Sequence, residues 1–222
     1  MGEALGQTLA LALGVALSPV PIIAVILMLF TPKARINGTA FVAGWFVGLV
    51  TVGGIVLAVG SQTSDSPTST SSGIVKLVLG LLLLLLAGRN WQKRPKEGEG
   101  AQMPKWMSAI DSFGPVKAAG LAALLSGLNP KNLLLTAAAA TTVAGLGLST
   151  GQEVGWLVAF AVLASLTVAT PVALLLVLGE RADAILSSWK VWLAQNNSVV
   201  MAVLLLVVGV KLVGDGISIL AA

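Results

Sequence analysis

The chain has 222 residues, of which 56% are hydrophobic and only 10% are charged, and its formal net charge is +4. Soluble domains carry about 25% charged residues, so this composition indicates an integral membrane protein. The sequence has no cysteine and no histidine, which excludes disulfides, thiol nucleophiles and imidazole acid–base chemistry. We therefore expect no metal site, no cofactor and no enzymatic activity. The spread of the basic residues along the chain argues against a nucleic-acid partner.

Six apolar segments are long enough to cross a bilayer, which takes about 20 apolar residues. In chain order they cover residues 4–30, 38–60, 73–90, 117–145, 152–180 and 196–220. The sequence therefore predicts an all-α integral membrane fold with six transmembrane helices. Residues 1–90 form a first three-helix unit, residues 91–116 a linker, and residues 117–222 a second three-helix unit.

Basic residues are concentrated in the loops that follow the odd-numbered segments. These loops and their borders hold Lys33, Arg35, Arg89, Lys93, Arg94, Lys96, Lys105, Lys117, Arg181 and Lys190. Because cytoplasmic loops are enriched in Lys and Arg, we expect both termini outside and the linker 91–116 in the cytoplasm. Within this linker, the spacing of Trp106, Ile110 and Phe113 predicts a short amphipathic helix. That helix either lies at the membrane interface or packs against the other helices.

The two halves of the chain share features at one common offset. The same number of residues separates Pro19 from Pro130 and Trp45 from Trp156, and each tryptophan follows a glycine. A unit with an odd number of helices inserts upside down relative to the unit before it, and inverted repeats with interrupted helices are typical of secondary transporters. The sequence thus predicts two inverted three-helix repeats in which helices 1 and 4 are broken. The alternative is that the prolines only kink helices for packing.

The second break places a cation deep inside an apolar segment. Lys131 follows Lys117, at the cytoplasmic end of its segment, by fourteen residues, which is about 21 Å of helix. A lysine near the bilayer centre costs about 2.5–3.5 kcal/mol, so we expect Lys131 to face a polar cavity, a carboxylate or an anionic ligand. The N-termini of half-helices also attract anions such as phosphate, sulfate or carboxylate. The predicted substrate-binding residues are Ser18, Pro19, Pro21, Asn129, Pro130, Lys131 and Asn132.

Asp215 is the one acidic residue that lies well inside a predicted segment, and it follows Lys211 by four positions. This spacing favours an ion pair on one helix face that neutralises both charges near the outer end of the last helix. The alternative is a gating or proton-coupling role for Lys211 and Asp215.

Four stretches carry a resemblance to a known family: "LSPVPIIAVILMLFTPKARINGTAFVAGW", "PKWMSAIDSF", "LSGLNPKNLLLT" and "VVGVKLVGDGI". Together they resemble the GAP family, the sulfolipid-1- and glycopeptidolipid-addressing proteins of actinobacterial envelopes, within the lysine exporter (LysE) superfamily. The resemblance implies a protein of the bacterial plasma (inner) membrane that helps to move a glycolipid or its precursor outward. It also implies six helices in two inverted repeats.

Two departures from the pattern of related exporters argue against export of amino acids or metal ions. Val20 stands where those exporters have the glycine of a Pro-Gly-Pro break. Related cation exporters also depend on membrane-embedded acidic residues, which are almost absent from this sequence.

The leading hypothesis is a translocator that exports an anionic, lipid-linked substrate, a glycolipid or its precursor, through a midplane site between the repeats. Two alternatives remain open: a small-solute exporter of the amino-acid type, and a non-transporting scaffold subunit of a larger lipid-export machinery. The spacing of Gly44 and Gly48 permits close helix packing, either within the monomer or between copies, and we expect a homodimer.

Overall fold

The computed structural model describes residues 1–60, 70–94 and 105–221, and every regular element within these ranges is helical. The α-helices are, in chain order, α1 (Gly2–Ala16), α2 (Pro19–Leu29), α3 (Ala34–Gly60), α4 (Thr70–Gln92), α5 (Pro115–Gly127), α6 (Pro130–Ala144), α7 (Thr150–Leu178) and α8 (Ala182–Leu220). Two 3₁₀ helices cover Lys105–Ser112 and Gly179–Arg181. The predicted all-α fold is confirmed.

Among the described residues, three helical stretches are long and apolar enough to cross a membrane: Ala34–Val59, Thr70–Gln92 and the continuous run Thr150–Leu220. The number rises to four if α1 and α2 together form one broken span. Gly179, with a φ of 57°, ends α7 inside the long run, so α7 and α8 are separate helices. The count of six spans further requires that α5 and α6 form one broken span, and it stays a prediction.

Both predicted helix breaks are present, and prolines cause them. α2 begins at Pro19 and α6 at Pro130. Proline suits the first position of a helix because no intrahelical bond is lost there, and it disfavours continuation of the helix before it. The axes of α1 and α2 differ by 51°. Asn129 caps α6, since its side-chain oxygen accepts a hydrogen bond of 3.1 Å from the amide of Lys131.

Glycines bring two helix pairs into close contact within the chain. α3 lies so close to α5 that a Cβ atom at Gly44 would overlap the main chain of Ala119, and Gly48 faces α5 in the same way. Between α4 and α8, a Cβ atom at Gly80 would lie 2.8 Å from the amide nitrogen of Val213. Gly44 and Gly48 therefore serve contacts inside the monomer, and the homodimer stays a prediction.

The two tryptophans related by the predicted repeat are both buried and both form hydrogen bonds between the two units. Trp45 in α3 and Trp156 in α7 are both fully buried. The Trp45 indole donates a hydrogen bond of 3.3 Å to the carbonyl of Ala164 in α7, and the Trp156 indole donates one of 2.9 Å to the Thr8 hydroxyl in α1. Each indole thus forms a hydrogen bond between its own three-helix unit and the other unit. This reciprocity fits the predicted repeat, while the inverted arrangement of the units is still a prediction.

The predicted amphipathic helix of the linker is a 3₁₀ helix at Lys105–Ser112. Its residues Met107 and Ile110 are buried in the hydrophobic core, so its apolar face packs against the protein. Asn37 of α3 stabilises the segment that follows this 3₁₀ helix by donating a hydrogen bond of 2.9 Å to the carbonyl of Phe113. Residues 95–104 and the side chain of Trp106 lie outside the described part of the chain.

Candidate functional site

Lys131 lies where the two helix breaks meet. The residue is only 4% exposed, although the helices around it are apolar. Its ammonium group donates three hydrogen bonds: to the carbonyl of Gly14 at 2.7 Å, to the carbonyl of Leu17 at 3.2 Å and to the hydroxyl of Ser18 at 2.7 Å. Since a lysine ammonium has three N–H donors, these acceptors satisfy it completely.

The acceptors exist because the first break leaves carbonyl groups of α1 without partners in the helix. In an α-helix the carbonyl of residue i pairs with the N–H of residue i+4, and proline has no N–H. Pro19 therefore removes the partner of the Val15 carbonyl, and Pro21 removes that of the Leu17 carbonyl. Lys131 supplies the missing donor to Leu17 from another helix.

The other carbonyl groups at the end of α1 are also paired. The Ser18 hydroxyl donates to the carbonyl of Val15 at 2.6 Å. The carbonyl of Ala16 accepts bonds from the Ser18 amide and from the Thr167 hydroxyl of α7. A cation at the C-terminus of a helix also interacts favourably with the negative end of the helix dipole. Main-chain dipoles at the end of α1 thus provide the countercharge for Lys131.

Asn132 joins the second break to the first. Its side chain is fully buried, and its oxygen lies 3.1 Å from the Ser18 hydroxyl. Its amide nitrogen donates a hydrogen bond of 3.0 Å to the carbonyl of Leu125 in α5. The break junction is defined here as Ser18, Lys131, Asn132 and the carbonyl groups of Gly14 and Leu17.

The described helices enclose two apolar openings. A groove of about 620 Å³ runs between α3 and α7, with Phe46 and Leu166 among its lining residues. A second cavity of about 370 Å³ lies between α2, α7 and α8 and reaches Thr167. Thr167 is also the residue that bonds to the end of α1. Lys131 lines neither opening.

In a comparison with protein families, the family described as Sap, sulfolipid-1-addressing protein, matches residues 8–218. The match covers nearly the whole chain. The chain belongs to the sulfolipid-1-addressing protein family. The family predicted from the sequence motifs is thereby confirmed, whereas membership of the wider lysine exporter superfamily is still a prediction. No match was found among curated proteins or among solved structures.

In this member of the sulfolipid-1-addressing protein family, the structure brings three of the predicted site residues into one hydrogen-bonded group: Ser18, Lys131 and Asn132. The remaining four shape the backbone at the starts of α2 and α6: Pro19, Pro21, Asn129 and Pro130. Because two of the first three residues of α2 are prolines, this half-helix end offers an anion only the N–H of Val20. The side chains of the junction therefore matter more than the helix N-terminus.

The acceptors of Lys131 differ from the three kinds of partner that the sequence suggested. Main-chain carbonyl groups of Gly14 and Leu17 take the place of a carboxylate, a cavity or a ligand. The signal for Leu17 was available in the sequence, because Pro21 stands four positions later. No pattern in the sequence indicated Thr167, since its contact with the end of α1 depends on the packing of α7.

Lys211 and Asp215 form the predicted ion pair. The lysine nitrogen lies 2.6 Å from a carboxylate oxygen, and the two side chains are 41% and 39% exposed. Neither residue takes part in the hydrogen bonds of the break junction described above. A gating or coupling role for this pair stays a prediction.

Proposed function

We propose that this chain is a translocator of the bacterial plasma membrane that exports an anionic, lipid-linked substrate. The name of its family, sulfolipid-1-addressing protein, makes a sulfated glycolipid the first substrate to test. The observation that carries the proposal is the break junction, where a buried cation joins two broken helices through hydrogen bonds that a substrate anion can replace.

Folding stability alone does not account for a lysine at this position. A lysine near the bilayer centre costs about 2.5–3.5 kcal/mol. Its hydrogen bonds to Gly14 and Leu17 offset this cost, because each buried carbonyl left unpaired would cost about 1–3 kcal/mol. The two contributions are of similar size, so an apolar residue would serve stability about as well. A role that requires the positive charge explains the lysine better.

An anionic headgroup can compete with the carbonyl groups for Lys131. The ammonium is attracted to the full negative charge of a sulfate but only to the partial charges of neutral carbonyl groups, so sulfate oxygens are better acceptors for it than the carbonyls of Gly14 and Leu17. Their displacement would release α6 from the end of α1. In transporters built from inverted repeats, movement of one unit against the other then opens the site alternately to the two sides of the membrane.

Thr136 offers a further donor on the same helix. It lies one turn beyond Asn132 in α6 and is fully buried, and its hydroxyl has no hydrogen-bond partner among the described residues. Buried polar groups are usually paired. We assign the Thr136 hydroxyl as a second group that donates to the headgroup once α6 is released.

The apolar groove between α3 and α7 supports a lipid-linked substrate over a small solute. The groove between α3 and α7 is lined mainly by apolar side chains such as Val42, Phe46 and Leu166. A small polar solute gains little from such a lining, whereas an acyl chain gains burial from every methylene that it places there. Orientation with both termini outside and the linker 91–116 in the cytoplasm is part of the proposal.

Transfer of a lipid pair that differs only in one sulfate group tests the proposal. The purified protein is reconstituted into vesicles that contain fluorescent sulfatide (sulfated galactosylceramide) or fluorescent galactosylceramide. Dithionite added outside bleaches only the outer leaflet, so further loss of fluorescence reports lipid that crosses from the inner leaflet. We expect the protein to accelerate transfer of sulfatide well above that of galactosylceramide, because only sulfatide carries a negatively charged headgroup for Lys131.

Vesicles without protein provide the background rate. Equal acceleration of both lipids would contradict selection by the cation at the junction. No acceleration of sulfatide would contradict translocation by this chain alone and would favour the scaffold alternative.

A further inference from the structure

The cavity between α2, α7 and α8 has an apolar surface, although some of its lining residues carry polar groups. It measures about 370 Å³ and is lined by Ile22, Thr167, Thr170, Trp189, Trp192 and Leu193. The Thr170 hydroxyl donates to the carbonyl of Leu166 at 2.7 Å, and the Thr167 hydroxyl donates to the carbonyl of Ala16. Both hydroxyl protons are therefore used by the main chain. The volume lies within the range of about 300–1,000 Å³ that is usual for ligand pockets.

The inner wall of this cavity adjoins the break junction. Thr167 lines the cavity and bonds to Ala16, the last residue of α1 before the break. Ile22, on the α2 side, lies three residues after Pro19, where α2 begins. A ligand in the cavity thus reaches the segment of chain whose carbonyl groups hold Lys131.

Two exposed indoles line the cavity, and a lysine lies between them in the sequence. Trp189 and Trp192 are 39% and 56% exposed, and tryptophan is enriched where proteins meet the membrane–water interface. Lys190 lies between them in sequence, and its ammonium group is 5.4 Å from the centre of the Phe30 ring. Within the described part of the chain, no carboxylate forms an ion pair with Lys190, since the one such pair there joins Lys211 and Asp215.

We propose that the cavity holds one acyl chain of an anionic membrane lipid whose headgroup binds at Lys190. The apolar lining excludes a polar occupant, the interfacial indoles fit a lipid that stays in its leaflet, and the unpaired cation selects a negative headgroup. The site is a loading site for the substrate, and this role rests on the proposed translocation. Binding of an anionic lipid at the cavity does not depend on translocation.

Tryptophan quenching by brominated lipids tests the site without any transport step. The protein, with Trp91→Phe and Trp106→Phe substitutions, retains two exposed indoles at the cavity and two fully buried ones, Trp45 and Trp156. Nanodiscs of unlabelled phosphatidylcholine receive a small, equal fraction of phosphatidylglycerol or phosphatidylcholine with dibrominated acyl chains. We expect brominated phosphatidylglycerol to bind about fivefold more tightly, which is the usual effect of one lysine on an anionic lipid.

Two variants separate the headgroup from the acyl chain. Lys190→Gln is expected to abolish the difference in binding between the two lipids. Lys117→Gln removes another exposed lysine and is expected to leave this difference unchanged. Thr170→Phe fills the cavity and is expected to reduce quenching by both lipids. Thr51→Phe is its matched control, because the exposed Thr51 also donates to a carbonyl one turn earlier, at 2.8 Å.

Equal quenching by the two lipids, or a difference that survives in Lys190→Gln, would overturn the proposal. Quenching that Thr170→Phe leaves unchanged would show that the acyl chain does not enter the cavity. Sulfatide transfer without selective quenching would overturn the loading site and leave translocation standing. Selective quenching without sulfatide transfer would support the lipid site and contradict translocation.

Discussion

The Lys131→Met variant is expected to keep its fold and to transfer sulfatide about 10- to 150-fold more slowly than the wild type. Methionine retains most of the length of lysine and has no charge. The rate falls because the headgroup loses a charged hydrogen-bond donor, which is worth about 1.5–3 kcal/mol. The measurement is the dithionite assay on reconstituted protein, with thermal unfolding in detergent recorded by circular dichroism.

Stability is expected to change by no more than about 2 kcal/mol in either direction, because relief of lysine burial offsets the carbonyl groups left unpaired. Lys76→Met is the matched control. Lys76 is also buried in a helix, α4, but it lies outside the break junction, so its replacement is expected to preserve transfer. Unchanged transfer in Lys131→Met, or an equal loss in both variants, would contradict the role assigned to Lys131.

The Gly44→Ala variant is expected to lose about 1–3 kcal/mol of stability, the usual cost of overpacking. A Cβ atom at Gly44 would overlap the carbonyl oxygen and Cα of Ala119. These are main-chain atoms, so no side-chain rotation relieves the overlap, and α3 must move away from α5. That displacement shifts the helix that leads to the second break, and we expect sulfatide transfer to fall as well. Thermal unfolding in detergent measures the loss of stability.

Gly120→Ala is the matched control in the partner helix. A Cβ atom at Gly120 has nothing within 4 Å, and alanine in a helix interior is favoured over glycine by about 0.5–1 kcal/mol. The two variants should therefore shift stability in opposite directions. If Gly44→Ala were as stable as Gly120→Ala, the close packing of α3 on α5 would be wrong.

The position of the helix breaks could be predicted from the sequence because proline acts locally. The missing N–H and fixed backbone angle of Pro19 and Pro130 favour the end of one helix and the start of the next, although Pro171 lies inside α7 without ending it. The close packing of α3 on α5 could be named only as one alternative, because the spacing of Gly44 and Gly48 does not say which helix they face.

The partners of Lys131 could not be read from residue types alone. A search for partners in a sequence finds carboxylates, and this chain has almost none within its apolar segments. Main-chain carbonyl groups occur at every residue and become acceptors only where a helix ends. Which helix end faces Lys131 depends on how α1 packs against α6, and that contact joins residues 117 positions apart in the chain.

Solid-state nuclear magnetic resonance on the hydrogen bond between Lys131 and Gly14 tests whether a sulfated headgroup displaces the carbonyl groups from Lys131. Isotope labels on the ζ-nitrogen of lysine and the carbonyl carbon of glycine select this contact, the one bond between a lysine ammonium and a glycine carbonyl among the described residues. Loss of the dipolar coupling in the Lys131→Met variant assigns it to Lys131. We expect the coupling to persist in lipid alone and with galactosylceramide, and to be lost with sulfatide. A coupling that sulfatide leaves intact would show that the headgroup does not displace the carbonyl groups from Lys131.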